Sequence, residues 1–312
     1  MKAIMYHYVR PDDEKLPYFR HLHVEDFEQQ LDYFAREFGF VSQADFLDSI
    51  ATATERPGVV LTFDDGLQDH VRYVLPRLAQ RGLWDIFYVP TGVYSNGAML
   101  DVHRVHLLLG MHGGAAVFAA LRALVDEAML THAGVREFQR EPYKRQSHDE
   151  FAGLVKKTLN FYIGYEHRPA VMRALLRRLL PDEAAWAASY YMAPSELRAL
   201  REAGMMVGSH TVNHPVMSKL GEPAQAREIA ESFAFLEAAT GSLPVKTFCY
   251  PYGGYHTFTP ATEKLLEELG SRFSFNVEPA DIDSAFLTRR LQALPRYDCN
   301  QFSFGACRAI DN

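Results

Sequence analysis

The chain has 312 residues, 48% of them hydrophobic and 23% charged, with a net charge of -7. That composition excludes a fibrous or disordered polymer and leaves enough length to bury a large core, while the acidic balance argues against a nucleic-acid binder, which would present a basic face. Cys249, Cys299 and Cys307 are odd in number and lack the C-x-x-C spacing of a metal motif, which argues against a disulfide framework; the opening Met1 to His7 has no leader-like core or cleavage site, and no stretch reads as the ~20 apolar residues of a membrane span, so the expectation is a cytoplasmic protein without a transmembrane segment.

Ala3 to Val9 reads as a first buried strand ending in the polar turn Arg10-Pro11-Asp12-Asp13. Val24, Phe27, Leu31, Phe34 and Phe38 recur at helical spacing, with Gly39 as the stop. A second strand covers 58–63. The helix after it runs through Val71, Val74, Leu75 and Leu78 to Gly82, with Pro76 a candidate kink. Trp84 to Val89 is a third strand. From about 99 to 191 the pattern is helical (Val117–Met129, Glu150–Tyr162, Val171–Leu180) with hardly any strand signal, which predicts a helical insertion or lid. The alternation then resumes with helix Ala193–Ala203, strand Met205–Gly208, helix Ala224–Ala239, strand Val245–Tyr250, helix Pro260–Leu269 and strand Arg272–Asn276. A last strand-like piece surrounds Leu291–Arg296.

Strands alternating with helices predict a mostly parallel α/β sheet, closed or open, with chemistry at the C-terminal ends of its strands. His7, Asp64, Asp65, His210, Tyr252 and Arg296 all fall at or just after expected strand ends. In Thr62-Phe63-Asp64-Asp65-Gly66 two carboxylates follow an apolar run. Burying two such charges side by side is unfavourable unless a cation or hydrogen bonds compensate. Ser209-His210-Thr211-Val212-Asn213-His214 supplies two imidazoles. Taken alone, the histidine pair reads equally as a cap and a surface residue, and Asp64-Asp65-Gly66 as a turn. Together, two imidazoles and one carboxylate make an open three-ligand site of the catalytic zinc type, which also suits iron, cobalt or nickel. A metal lowers the pKa of a bound water toward ~7, and the second aspartate can take its proton.

These two segments, with Phe248-Cys249-Tyr250-Pro251-Tyr252-Gly253, resemble the first three motifs of the polysaccharide deacetylases, the carbohydrate esterase family 4 type. The resemblance covers about 1–90 and 193–300. It implies a distorted (β/α)7 barrel, spanning 1–312 as one domain with the helical insertion at about 99–191. It also implies that Asp64 is the catalytic base, that Asp65, His210 and His214 bind one divalent metal, zinc first among the candidates, and that the Tyr252 backbone N–H helps hold an oxyanion. The chain departs from the pattern in two ways. Many members carry an arginine where Cys249 stands, and the late histidine that acts as general acid is missing. Arg296, in Leu294-Pro295-Arg296-Tyr297-Asp298, is the candidate for the missing charge. Met5-Tyr6-His7-Tyr8-Val9 resembles the opening strand of a permuted branch that includes poly-N-acetylglucosamine deacetylases, in which the first-strand histidine takes the acid's place; this assigns His7 that role.

The function expected is therefore metal-dependent removal of an N-acetyl group from a sugar in a glycan or glycan precursor, in surface polysaccharide biosynthesis. For a cytoplasmic enzyme the substrate partner would be nucleotide-linked or lipid-linked. Two other readings stand beside it: a non-catalytic glycan-binding protein on a decayed deacetylase scaffold, and another metal-dependent amide hydrolase, such as a deformylase of a lipid-linked aminosugar.

Overall fold

The computed structural model describes residues 1–130, 150–164, 166–180 and 182–310. They fall into two compact units, one of residues 1–11, 21–97 and 188–307, the other of 12–20, 98–187 and 308–310.

The first unit is built on seven strands: β1 (Lys2–Tyr6), β2 (Val59–Phe63), β3 (Ile86–Val89), β4 (Met206–Ser209), β5 (Thr247–Cys249), β6 (Phe273–Phe275) and β7 (Tyr297–Asp298). They lie in the order β6-β5-β4-β3-β2-β1-β7, all parallel. The sheet curls into the distorted (β/α)7 barrel. One short strip joins its two margins. Leu294 bridges Phe275, its N–H donating to the Ser274 carbonyl at 2.8 Å, while three residues on Tyr297 and Asp298 pair with Ile4 and Met5. The strand expected at Leu291–Arg296 is thus displaced. Leu291–Ala293 is a 3-10 turn, and regular pairing begins only at Tyr297, because the strip must cross from one margin to the other.

Alternate strand residues feed two apolar clusters, as a period of two requires. Ile4, Leu61, Phe63, Phe87, Val89, Val207 and Phe248 pack with helix residues Phe27, Leu31, Leu197, Ile229 and Phe233. Ala3, Val60, Ile86, Tyr88, Met206 and Cys249 face the other way, joined by Phe46 and Ile50. Those last two belong to a helix that the sequence reading passed over, Gln43–Thr52, where Ser42 accepts from the Asp45 N–H and Ala53 closes the end at φ 57. Phe46 meets Trp84 and Phe273 at the starts of β3 and β6, so this helix packs on the N-terminal end of the barrel. The helix expected through Val71 to Gly82 changes its bonding beside Pro76: a π turn at His70–Val74 runs directly into the α-helix Leu75–Gln80, with Pro76 in its first turn.

The second unit is helical: Asp101–Arg122, Glu150–Lys157 running into a π turn at Thr158–Tyr162, Arg168–Leu179, and the start of Glu183–Tyr190. The helix expected over Val117–Met129 ends at Arg122, and Glu127–Met129 is a separate 3-10 turn. The 22-residue helix Asp101–Arg122 corrects one expectation, since by length and composition it is apolar enough to cross a membrane. Half of its most apolar stretch is buried within the fold and Gly113 breaks it at φ 73, properties shared with the core helix of a globular unit.

Candidate active site

The barrel unit alone carries the site. Asp64 and Asp65 leave the end of β2, His210 follows β4, Cys249 ends β5 and His7 lies just past β1. Arg296 precedes β7 rather than following a strand, and its side chain runs through the interior, with the guanidinium 5.9 Å from the Tyr88 ring and 5.8 Å from the Phe275 ring. Asp64, Asp65, His210, His214 and Arg296 are all buried.

Asp65 Oδ1 lies 3.5 Å from His210 Nε2 and 3.5 Å from His214 Nε2. Two ligands bound to one tetrahedral ion at ~2.1 Å stand ~3.4 Å apart, so this spacing fits a shared cation. The His210 ring is held by its Nδ1, 2.7 Å from the Cys249 carbonyl oxygen, which leaves Nε2 for the ion in the manner of metal-ligating histidines. Burial lowers the His210 pKa despite the nearby aspartates, favouring the neutral imidazole that a ligand requires. The three expected ligands therefore come together, and their donor set suits a divalent metal of the zinc class.

Asp64 stands beside them in a different role. Arg296 Nη1 donates to its Oδ1 at 2.9 Å and Nη2 to its Oδ2 at 2.8 Å. Burial alone would raise the Asp64 pKa, but Arg296, with His210 and His7, holds it down at about 2. The Cys249 sulfur completes the grip, 2.9 Å from Arg296 Nη2 and 3.4 Å from Asp64 Oδ2. Burial pushes the thiol pKa up, so it keeps its proton and donates to the carboxylate. The residue that breaks the expected motif is thus a member of the cluster.

His7 stands at the mouth, with 37% of its side chain exposed and Nε2 3.9 Å from Asp65 Oδ2. His70 is buried, and its Nε2 contacts the His7 carbonyl oxygen at 2.9 Å, holding the end of β1. The Tyr252 ring packs on His214, with centroids 4.9 Å apart. Among the described residues six non-glycine positions have positive φ, and four of them are Asp65 (80°), Thr211 (66°), His214 (54°) and Tyr252 (62°). Such conformations cost about 1–3 kcal/mol each and persist where surroundings impose them. Glu228, which no sequence signal pointed to, accepts hydrogen bonds from the loop bearing His214.

The sequence profile of the polysaccharide deacetylase family matches residues 172–274, which takes in His210, His214 and Tyr252 and leaves Asp64, Asp65, His7 and Arg296 outside. No curated protein sequence matches the chain. Among solved structures, the Streptococcus pyogenes deacetylase PplD, in complex with acetate, is similar at a TM-score of 0.59 and 14% identity, over 96% of this chain and 91% of that one. IcaB from Ammonifex degensii gives 0.55 and 18% over 95% and 90%. A de-N-acetylase from Aggregatibacter actinomycetemcomitans gives 0.51 and 14% over 95% and 93%. At these identities the structural likeness is one of fold alone, and the family profile matches less than half of the chain.

Proposed function

We propose that this polysaccharide-deacetylase fold hydrolyses the N-acetyl group of an aminosugar in a surface polysaccharide or its nucleotide- or lipid-linked precursor. The observation that carries the reading is the pairing of two unlike carboxylates: Asp65 converging with two imidazoles, Asp64 clamped by Arg296. A divalent cation held by Asp65, His210 and His214 would polarise the acetyl carbonyl and acidify the attacking water.

The protein's own groups then divide the remaining work. Asp64 accepts the proton of the water. A carboxylate held at about 2 stays charged throughout the working range and keeps a proton only in passing, so a separate acid must serve the leaving amine. His7, at the mouth, is the group assigned to protonate that nitrogen. The Tyr252 backbone N–H, in a conformation imposed at φ 62, is assigned to the oxyanion, where a preorganised donor is most effective. The Arg296 contact weighs against a decayed scaffold, because the missing arginine is one of the two features that motivate that reading.

The test is release of acetate from N-acetylated aminosugar oligomers, sugar nucleotides and lipid-linked sugars. Chelation should abolish it and a divalent metal restore it. Acetate release that survives chelator, or formate released from N-formyl sugars in its place, would sink the proposal.

A further inference from the structure

The loop from Thr211 to His214 is bent into left-handed backbone at both ends, with φ of 66° at Thr211 and 54° at His214. A β-branched residue at positive φ is a genuine outlier, so something must hold it. The backbone N–H groups show what does. The Thr211 N–H donates to Ser209 Oγ at 3.1 Å and the His214 N–H to Thr211 Oγ1 at 2.9 Å. The two between them, on Val212 and Asn213, both donate to Glu228 Oε2 at 2.8 Å, and Asn213 Nδ2 donates to Glu228 Oε1 at 2.7 Å. Successive N–H groups aimed at one point form an anion-binding nest, and here a carboxylate from helix Glu222–Thr240 fills it. From the other side, the N–H groups of Thr91 and Gly92 donate to the carbonyls of Thr211 and Val212 at 3.0 and 2.8 Å. Gly92 leaves no space for adjustment, since a Cβ there would lie 2.7 Å from the Val212 carbonyl oxygen.

We propose that Glu228 is a positioning residue of the metal centre, its carboxylate filling the nest of loop 211–214 and so fixing the direction from which His214 Nε2 meets Asp65 and His210. This rests on the reading that those three residues hold a cation. A neutral side chain is a poor substitute. Glutamine can offer one oxygen to the two backbone N–H groups, but its amide nitrogen then faces Asn213 Nδ2, donor against donor.

The experiment titrates zinc into the metal-free full-length protein against a chromophoric chelator, for wild type, E228A, E228Q and H214A. E228A should bind zinc about 10–100-fold more weakly than wild type, the range for partners that orient ligands, with E228Q between them. Millimolar formate should enter the vacated nest and recover most of the loss in E228A, while leaving wild type and H214A unchanged. Equal zinc affinity in E228A and wild type overturns the proposal, as does a loss that formate does not touch. Failure of wild type itself to bind zinc overturns the metal reading instead. The loop's dependence on Glu228 is then judged by amide hydrogen exchange at Val212 and Asn213, where rates unchanged in E228A would also overturn it.

Discussion

Arg296 takes both oxygens of Asp64 in a two-pronged contact, at 2.9 and 2.8 Å, across 232 residues of sequence. The rest of the guanidinium is equally committed: Nε donates to the Asn276 carbonyl at 2.9 Å, Nη1 to Thr62 Oγ1 at 2.9 Å, and Nη2 reaches the Cys249 sulfur. Burial works against the arginine's charge, but Asp64 overrides it and raises the Arg296 pKa further. The pair therefore stays charged inside the barrel, and its planar fork fixes the carboxylate's orientation as a lysine could not.

Breaking that pair should separate chemistry from metal binding. D64N is expected to keep its metal content and lose acetate release. It should also lose about 3–5 kcal/mol of stability in urea unfolding, because a buried guanidinium is left without its counter-charge. The double variant D64N/R296M should lose less than the sum of the two single changes. Additive losses would show that the two residues do not act as a pair.

Asp65 should show the opposite sign. It is a buried carboxylate on strained backbone at φ 80, and glycine adopts that conformation freely. D65G is expected to abolish metal binding and to leave the metal-free protein as stable as wild type or more so, by about 1 kcal/mol. Calorimetric melting of both proteins in chelator checks this, and a marked loss of stability in D65G would count against strain at the site.

Cys249 and Arg296 share one space. Placing a second guanidinium there by C249R sets two buried cations against one carboxylate, and the variant is expected to fold poorly or not at all. Removing the native arginine as well, in C249R/R296A, should recover soluble folded protein by circular dichroism and size-exclusion chromatography. A double variant no better folded than C249R would show that the two positions are not interchangeable sources of one charge.

Asp85, just before β3, predicts a pH effect unrelated to catalysis. It is buried; its Oδ1 accepts the Leu61 N–H at 2.8 Å, and its Oδ2 has no hydrogen-bond partner among the described residues. Burial holds its pKa well above the ordinary 3.8, outweighing the Leu61 bond. Between 3.8 and that raised value the unfolded chain binds fewer protons than the fold, so stability falls as pH rises. The slope reaches at most about 1.4 kcal/mol per pH unit. D85N keeps an acceptor for Leu61 and removes the titration. Urea unfolding from pH 4 to 8 should show its advantage over wild type growing with pH, and parallel curves would refute the assignment.

The expected strands at 58–63, 84–89, 205–208 and 245–250 all appear, trimmed by one to three residues at their ends or shifted by one. Apolar alternation and glycine punctuation are local properties, visible in any window of sequence. Helix Gln43–Thr52 escaped notice because ten residues carry few apolar positions, although Ser42 and Asp45 do mark its start. The last strand was misplaced because a strip that bonds two different partners over five residues has no single register to read.

By itself the sequence determined the alternation of strands and helices and the residue types gathered at Asp65, His210 and His214, since both depend on neighbours within a few positions. Only the tertiary structure decided how the charges are balanced. Arg296 lies 232 residues from Asp64, Cys249 lies 185 from it, and the carboxylate under the His214 loop comes from the helix that follows. Burial makes those contacts necessary, because an uncompensated carboxylate in the barrel would be expelled or protonated. Which residue compensates it is a matter of which strands meet, and strand order in a closing barrel is not written in any local stretch of the chain.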